Sequence, residues 1–496
     1  MSFISLSFLV LVVIVVAVYY FLPQKFRWVL LLFASCVFYA YFNFYLIFLL
    51  ASTVVTSYLA GLIIGKAQKK TLKRVVMIVA VVSLLAILLY FKYAGFLVNN
   101  AVSLINLFGA SLDPIVINVI LPVGISFYTF QTLAYVIDVY RGKIEPERHF
   151  GYFALFVSYF PQLVAGPIEK AQNLLPQFRA EHKFDGGSFK EGLALMAAGF
   201  LKKVVVADMF AVVVNAVYNS TDIPSLTGLS VLLTTVLFFV QIYCDFSGYS
   251  DIAIGCSKLL GIELMTNFNK PFRSQSITEF WTRWHISLTE WFNQYVYMPL
   301  TFKSIGKKHL ALRSCLNVLI VMFLCGLWHG ASWNYVIWGV WLGLYQCVET
   351  LTRRSIDGFY KKRNINKNGR FLSALRMVRT YVLLLLPLLF FRANTFADAL
   401  ALTKVMFTGW GFGSGYFGQF VAETGLTAFL AIAIVASLVI LKFTDDNISV
   451  TRGKNILAGK NSAWIVQFIF IVWLVVAVWC FIYEKGQVTP FIYFQF

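Results

Sequence analysis

Five histidines occur in this chain of 496 residues, and two of them stand where an imidazole can do chemistry. His329 lies inside "LCGLWHGASWNYVIWG", at the end of a strongly apolar run, and His285 follows Trp284 in "FWTRWHISLTEWF". A neutral imidazole in a low-dielectric cavity has a depressed pKa, so at pH 7 it accepts a proton from a hydroxyl nucleophile. A second polar group that orients it, or donates to a developing oxyanion, completes a minimal acyl-transfer site. Two converging histidines would supply both roles, and spacing in the sequence does not decide whether they converge. Two other readings stand beside this one. A histidine within a membrane also serves as a hydrogen-bond partner for a neighbouring helix, and two of them can form the proton pathway of a transporter or polymer exporter. The chain lacks the inverted repeats and paired broken helices that a transporter would carry. A metal site has no support, since neither His-x-x-x-His nor an acidic companion occurs at ligand spacing. His149, His182 and His309 lie among charged loop residues and read as solvated side chains.

The elements that must position these residues are membrane spans. Hydrophobic residues make up 59% of the chain and charged residues 13%, against about 25% charged in a soluble domain. Runs such as Ile4–Leu22, Val75–Leu89, Leu226–Val240 and Ile465–Ile482 reach or approach the ~20 apolar residues that cross a bilayer as a helix. They are continuously apolar rather than alternating, which excludes a barrel. The first run has no basic residue before it and no small-residue cleavage signal after it, so it reads as a retained span with Lys25 and Arg27 at its cytoplasmic end. The seven cysteines have neither metal-finger nor redox spacing and read as packing residues.

The net charge of +19 is carried by short loops between spans, the pattern of the positive-inside rule and of attraction to anionic lipid rather than of nucleic-acid binding. "KAQKKTLKR" (66–74) holds five Lys/Arg and no acid, and Arg353 to Arg379 holds nine against the single Asp357. Both face the cytoplasm on this rule, as does 302–313; if 442–460, whose basic charge Asp445 and Asp446 partly offset, is inside as well, the last span (about 462–483) ends so that the tail 484–496 lies on the far side. The count is about ten or eleven spans in one integral membrane domain, residues 1–496. Two segments do not cross. "YFPQLVAGPIEKAQNLLPQF" (159–178) is interrupted by Pro161, Gly166, Pro167 and Pro176 and reads as re-entrant or interfacial, packed against protein. In 268–300, Trp281, Trp284, Leu288, Trp291 and Phe292 recur at helical spacing, which predicts an amphipathic helix with an aromatic face. Gly61/Gly65 and Gly339/Gly343 fit the small-xxx-small packing pattern.

Several of these stretches together resemble one family. "WHGASWNYVIWG" around His329, "FWTRWHISLTEWF" around His285, "QIYCDFSGYSDIAIG" (241–255) and "NFNKPFRS" (267–274) are similar to the membrane-bound O-acyltransferase superfamily, and to its bacterial polysaccharide O-acetyltransferase branch in particular. "SYFPQLVAGPIEK", "LLFFRANTF" and the ending "FIYFQF" carry the likeness over nearly the whole chain. The resemblance implies an all-α polytopic protein of the bacterial cytoplasmic (inner) membrane, a ring of tilted helices with re-entrant or interfacial segments around a central tunnel. It implies His329 as the catalytic histidine and His285 as the second polar residue of the site. Acetyl-CoA would be the acyl donor, a substrate rather than a bound cofactor, and a periplasmic esterase-like or transferase partner would complete transfer to the hydroxyls of a cell-surface polysaccharide. Acyl groups such as D-alanine are the alternative cargo. A buried site then has a reason, since a thioester must be attacked where water is excluded.

Other residues are candidates with a plainer alternative beside each. Asp245 and Asp251, near Ser247 and Ser250, either shape the tunnel or cap a helix break at Gly248. Trp328 and Trp333 line the tunnel or pack. Lys270 and Arg273 contact phosphate or anchor the interface, and Asn334 is a hydrogen-bond partner near the site. The tail "FIYFQF" is similar to the acyl-accepting motif of the small membrane peptide in teichoic-acid D-alanylation systems. That likeness marks Tyr493 as an acyl relay, against the alternative of an interfacial aromatic anchor.

Overall fold

A computed structural model of the chain describes residues 1–447 apart from positions 118, 120, 304–308, 368, 412 and 414. Among these residues there is no strand. Five helices are long and apolar enough to cross a membrane: Leu46–Lys66, Lys70–Leu107, Gly228–Leu259, Leu310–His329 and Arg370–Arg392. The protein is an all-α, multi-pass membrane protein. The larger count read from the sequence includes shorter apolar stretches, such as the 16-residue helix Leu6–Phe21. The last expected span and the tail, with Tyr493, lie outside the described residues.

The described chain divides into two compact units, residues 1–198 with 249–266, and residues 199–248 with 267 onward. In the first, the Leu46–Lys66 helix packs on Ile125–Tyr140 and on the loop after it. A Cβ on Gly61 would lie 2.6 Å from the Tyr135 hydroxyl, and one on Gly65 2.4 Å from Cγ of Pro146. The small-residue pattern thus seats a tyrosine and a proline. Residues 153–169 are buried throughout. Here the chain leaves the helix Phe150–Ser158, turns, and becomes helical again at Ala171–Arg179. The backbone groups freed by those turns need partners inside the protein. The Phe156 carbonyl accepts from the side-chain amides of Gln131 (2.8 Å) and Gln162 (2.9 Å), and the Phe160 N–H donates to Ser35 Oγ (3.0 Å).

Two loop histidines of this unit do more than meet solvent. His149 Nδ1 accepts from the Tyr152 N–H at 3.2 Å and so caps the Phe150–Ser158 helix. His182 Nε2 lies 2.7 Å from the Gln177 carbonyl oxygen.

The second unit is built on a hairpin, the helices Leu310–His329 and Trp333–Lys362. Their backbones meet at glycines. A Cβ on Gly326 would lie 2.3 Å from the Tyr335 carbonyl oxygen, and one on Gly339 2.2 Å from that of Met322. Ser332 caps the second helix by accepting from the Asn334 N–H. The segment expected to be one amphipathic helix is instead two pieces, the short helix Ile277–Trp281 and a helical run from Ile286 through the π-helical Asn293–Tyr297 to Phe302, broken at His285, whose backbone is left-handed (φ 44°, ψ 53°). A non-glycine residue held there costs roughly 1–3 kcal/mol. Its five spaced apolar residues are all buried in protein, with Leu288 1% and Trp291 8% exposed.

Candidate active site

His329 is the last residue of its helix. Gly330 follows in extended conformation, and only residues 330–332 separate the two arms of the hairpin. The imidazole is 5% exposed. It packs edge-on against Trp328 (4.9 Å between ring centroids), Trp338 (5.0 Å) and Phe391 (5.3 Å). Trp338 comes from the opposite arm of the hairpin and Phe391 from the end of the Arg370–Arg392 helix.

Phe391 is held in place by the residues beside it. Arg392 donates to Asn215 Oδ1 at 2.7 Å and lies over the Tyr218 ring, and Asn394 donates to the Tyr218 carbonyl at 3.1 Å. The buried Asn334 amide donates to the Ala393 carbonyl at 2.8 Å. That bond ties the start of the return helix to the chain just past Phe391. Asn334 therefore acts on the wall around His329.

His285 is fully buried, packed edge-on against Phe246 at 4.6 Å and Trp328 at 5.6 Å. Burial pushes the pKa of its imidazole down, to about 3, so the ring is neutral at pH 7. Trp328 thus touches both histidines, and the two rings that the sequence separates by more than forty residues share one aromatic cluster. That cluster continues from Trp338 to Trp281, 5.8 Å away, on the short helix that leads to His285.

The remaining candidates divide. Asp245 is 1% exposed and pairs with Lys203 Nζ at 2.7 Å, and the same ammonium pairs with Asp208, also at 2.7 Å. Lys203 belongs to a π-helical turn, Leu201–Ala207, inserted in an otherwise continuous helical run from Gly186 to Tyr218. Asp245 thus balances a buried ammonium, while its neighbour Phe246 meets His285. The Gly228–Leu259 helix passes through Gly248 unbroken, so of the two readings of Asp245 and Asp251 the capping of a helix break at Gly248 falls away. Gly248 instead permits close approach, since a Cβ there would lie 2.7 Å from the Gly199 carbonyl oxygen. Asp251 is half-buried farther along that helix. Lys270 is half-buried and Arg273 exposed, on the loop that precedes the Ile277–Trp281 helix. Trp333 is 52% exposed.

Sequence reasoning missed Phe246, Trp338 and Phe391, which pack directly on the histidines, although each lies inside or beside a stretch singled out for its likeness. It also missed Asn267, whose Oδ1 accepts from the Ser287 N–H (3.2 Å) and hydroxyl (2.6 Å) and whose carbonyl accepts from the Ile286 N–H (2.9 Å).

Fold and composition define an integral membrane protein with a buried, histidine-bearing aromatic cluster. The comparisons supply its class: residues 147–386, which include both histidines, match the model of the membrane-bound O-acyltransferase family. A probable alginate O-acetylase of Pseudomonas aeruginosa is 37% identical over 431 residues, covering 86% of this chain and 77% of the relative. The peptidoglycan O-acetyltransferase of Helicobacter pylori is 31% identical over 402 residues, 76% of this chain and 73% of the relative. A teichoic acid D-alanyltransferase of Bacillus subtilis is 28% identical over 273 residues, 53% of this chain and 67% of the relative. The chain belongs to the membrane-bound O-acyltransferase family, and it is an acyltransferase.

Proposed function

We propose that the protein moves acetyl groups from cytoplasmic acetyl-CoA across the bacterial inner membrane to hydroxyls of a cell-surface polysaccharide, with a periplasmic partner completing the transfer. The observation that carries this reading is the meeting of His285 and His329 on the single indole of Trp328. In the proposed step His329 removes the proton from a hydroxyl nucleophile as its oxygen attacks the thioester carbonyl. The C–O bond forms, the C–S bond breaks, and the imidazolium returns its proton to the leaving thiolate. His285 orients the reacting group or donates to the developing oxyanion, and the aromatic wall keeps water from the thioester. A ring of tilted helices around a tunnel would give donor and acceptor access from opposite faces.

Acetyl is favoured over D-alanyl because the relatives named for O-acetylation match more of the chain, at higher identity, than those named for D-alanylation. The acceptor is assigned only as a polysaccharide of the alginate or peptidoglycan kind, after those relatives' names. The test is incubation of the purified protein with radiolabelled acetyl-CoA, reading acyl-enzyme formation or release of label. Release or capture of label that requires His329 supports the reading. Absence of any turnover or binding of acetyl-CoA, with D-alanyl donors active instead, overturns it.

A further inference from the structure

His285 opens the Ile286–Phe292 helix, yet its side chain makes no capping bond to that helix. The first N–H groups of any helix need acceptors, and the residue at the opening position usually supplies one from its own side chain. Here the acceptor comes from elsewhere. Asn267, 1% exposed, takes the Ile286 N–H on its carbonyl oxygen and the Ser287 N–H and hydroxyl on Oδ1. On the other side of His285, the Arg283 carbonyl accepts from the Asn269 N–H at 2.9 Å. Residues 267–269 therefore grip the chain both before and after His285, whose backbone is left-handed. Phe268, between the two gripping residues, packs on Trp284 and Phe246, the latter being the ring that meets the imidazole.

We propose that Asn267 is a positioning residue for His285: it takes over the capping of the helix and fixes the left-handed backbone that turns the imidazole into the aromatic cluster with Trp328. This rests on the reading of His285 as part of the acyl-transfer site. A left-handed histidine relaxes toward ordinary helical or extended angles once its flanking bonds are lost, and the ring then leaves Phe246 and Trp328. Asn267 acts through His285 and touches no reacting atom.

The test uses full-length protein in membranes and reads acetyl transfer from labelled acetyl-CoA at matched protein levels. Asn267→Leu, which keeps the branched shape and removes the side-chain acceptor, should lower kcat tenfold or more with little change in KM for the donor. Asn267→Asp, which keeps the acceptor, should retain several-fold more activity than Asn267→Leu. In a His285→Ala background, Asn267→Leu should cause no further loss, because its effect runs through the absent imidazole. Losses that multiply in the double variant, or wild-type kcat in Asn267→Leu, would overturn the proposal. If Asn267→Leu does not accumulate, Asn267→Ala is compared with Asn267→Asp, and equal activity in the two overturns it. Full activity in His285→Ala alone would instead discard the reading of the site on which the proposal rests.

Discussion

Trp328 meets His285 edge-on, with ring centroids 5.6 Å apart, while its chain neighbour His329 lies 4.9 Å from the same indole. His329 is carried by the end of a long apolar helix, and His285 by the break between the short helix Ile277–Trp281 and the helical run that starts at Ile286. Their meeting on a single side chain gives the site its two polar groups in an otherwise aromatic enclosure.

Replacing His329 by alanine removes the proposed base. Polymer acetylation in that strain should fall by about 10²–10⁴-fold, the usual worth of a positioned acid or base, with the protein still abundant in the membrane. Quantifying polymer-bound acetate decides it: retained acetylation would discard the catalytic assignment.

At His285 the two candidate roles respond differently to substitution. Asparagine keeps a hydrogen-bond donor and acceptor but cannot shuttle a proton at neutral pH. His285→Asn should therefore keep more activity than His285→Ala if the residue orients or stabilises. Equal and complete loss in both variants would assign proton transfer to His285 itself.

Because burial holds the His285 imidazole far below the ~6.5 of an exposed histidine, the unfolded chain binds a proton there that the folded chain refuses. The associated stability is present above about pH 6.5 and drains away as pH falls, by about 2 kcal/mol at pH 5. Thermal midpoints of the detergent-solubilised wild type and His285→Asn, followed from pH 7.5 to 5, should converge as pH drops. Parallel curves would show that the imidazole titrates normally in the folded protein.

The hairpin glycines should rank by what surrounds them. A methyl on Gly339 meets the Met322 carbonyl oxygen at 2.2 Å, whereas one on Gly343 meets the side chains of Leu319 and Met322 at 3.1 Å. Backbone does not yield as a side chain does, so Gly339→Ala should cost ~1–3 kcal/mol or more and Gly343→Ala much less. Residual folded protein after heating of membranes measures the difference, and equal tolerance at both positions would contradict the packing described.

The tail supplies a test that rests on sequence alone. If Tyr493 receives acetyl by way of His329 and presents it as a phenyl ester, whose phenolate (pKa about 10) leaves readily, Tyr493→Phe should abolish polymer acetylation while insertion persists. Wild-type acetylation in that variant would leave Tyr493 as an interfacial anchor.

Much of this architecture is legible in the order of the residues. Continuous apolar runs mark the multi-pass class, and the candidate site is marked by His329 at the end of such a run and by His285 beside a row of tryptophans. The proline and glycine breaks in 159–178 mark a segment that needs protein around it, and Gly339 marks a close helix contact. What the sequence conceals depends on distant pairing. Nothing local distinguishes His285 from a helical residue, since Trp281, Trp284 and Leu288 keep helical spacing across the break. Its left-handed backbone is set by Asn267, which approaches from another part of the chain. Phe246, Trp338 and Phe391 look like any aromatic on an apolar face until the helices bearing them are packed. Asp245 reads as a tunnel or capping residue because its partner Lys203 lies in a separate helical run.

The turn after His329 has a mechanical implication. With only residues 330–332 joining the two arms, and with Gly326 and Gly339 set backbone to backbone against the opposite arm, neither helix can slide lengthwise past the other without breaking those contacts. His329 and Trp338, on opposite arms, are in effect welded into one stiff fork. Any opening that admits a bulky acceptor has to come from parts that close against that fork, because the prongs keep their own register.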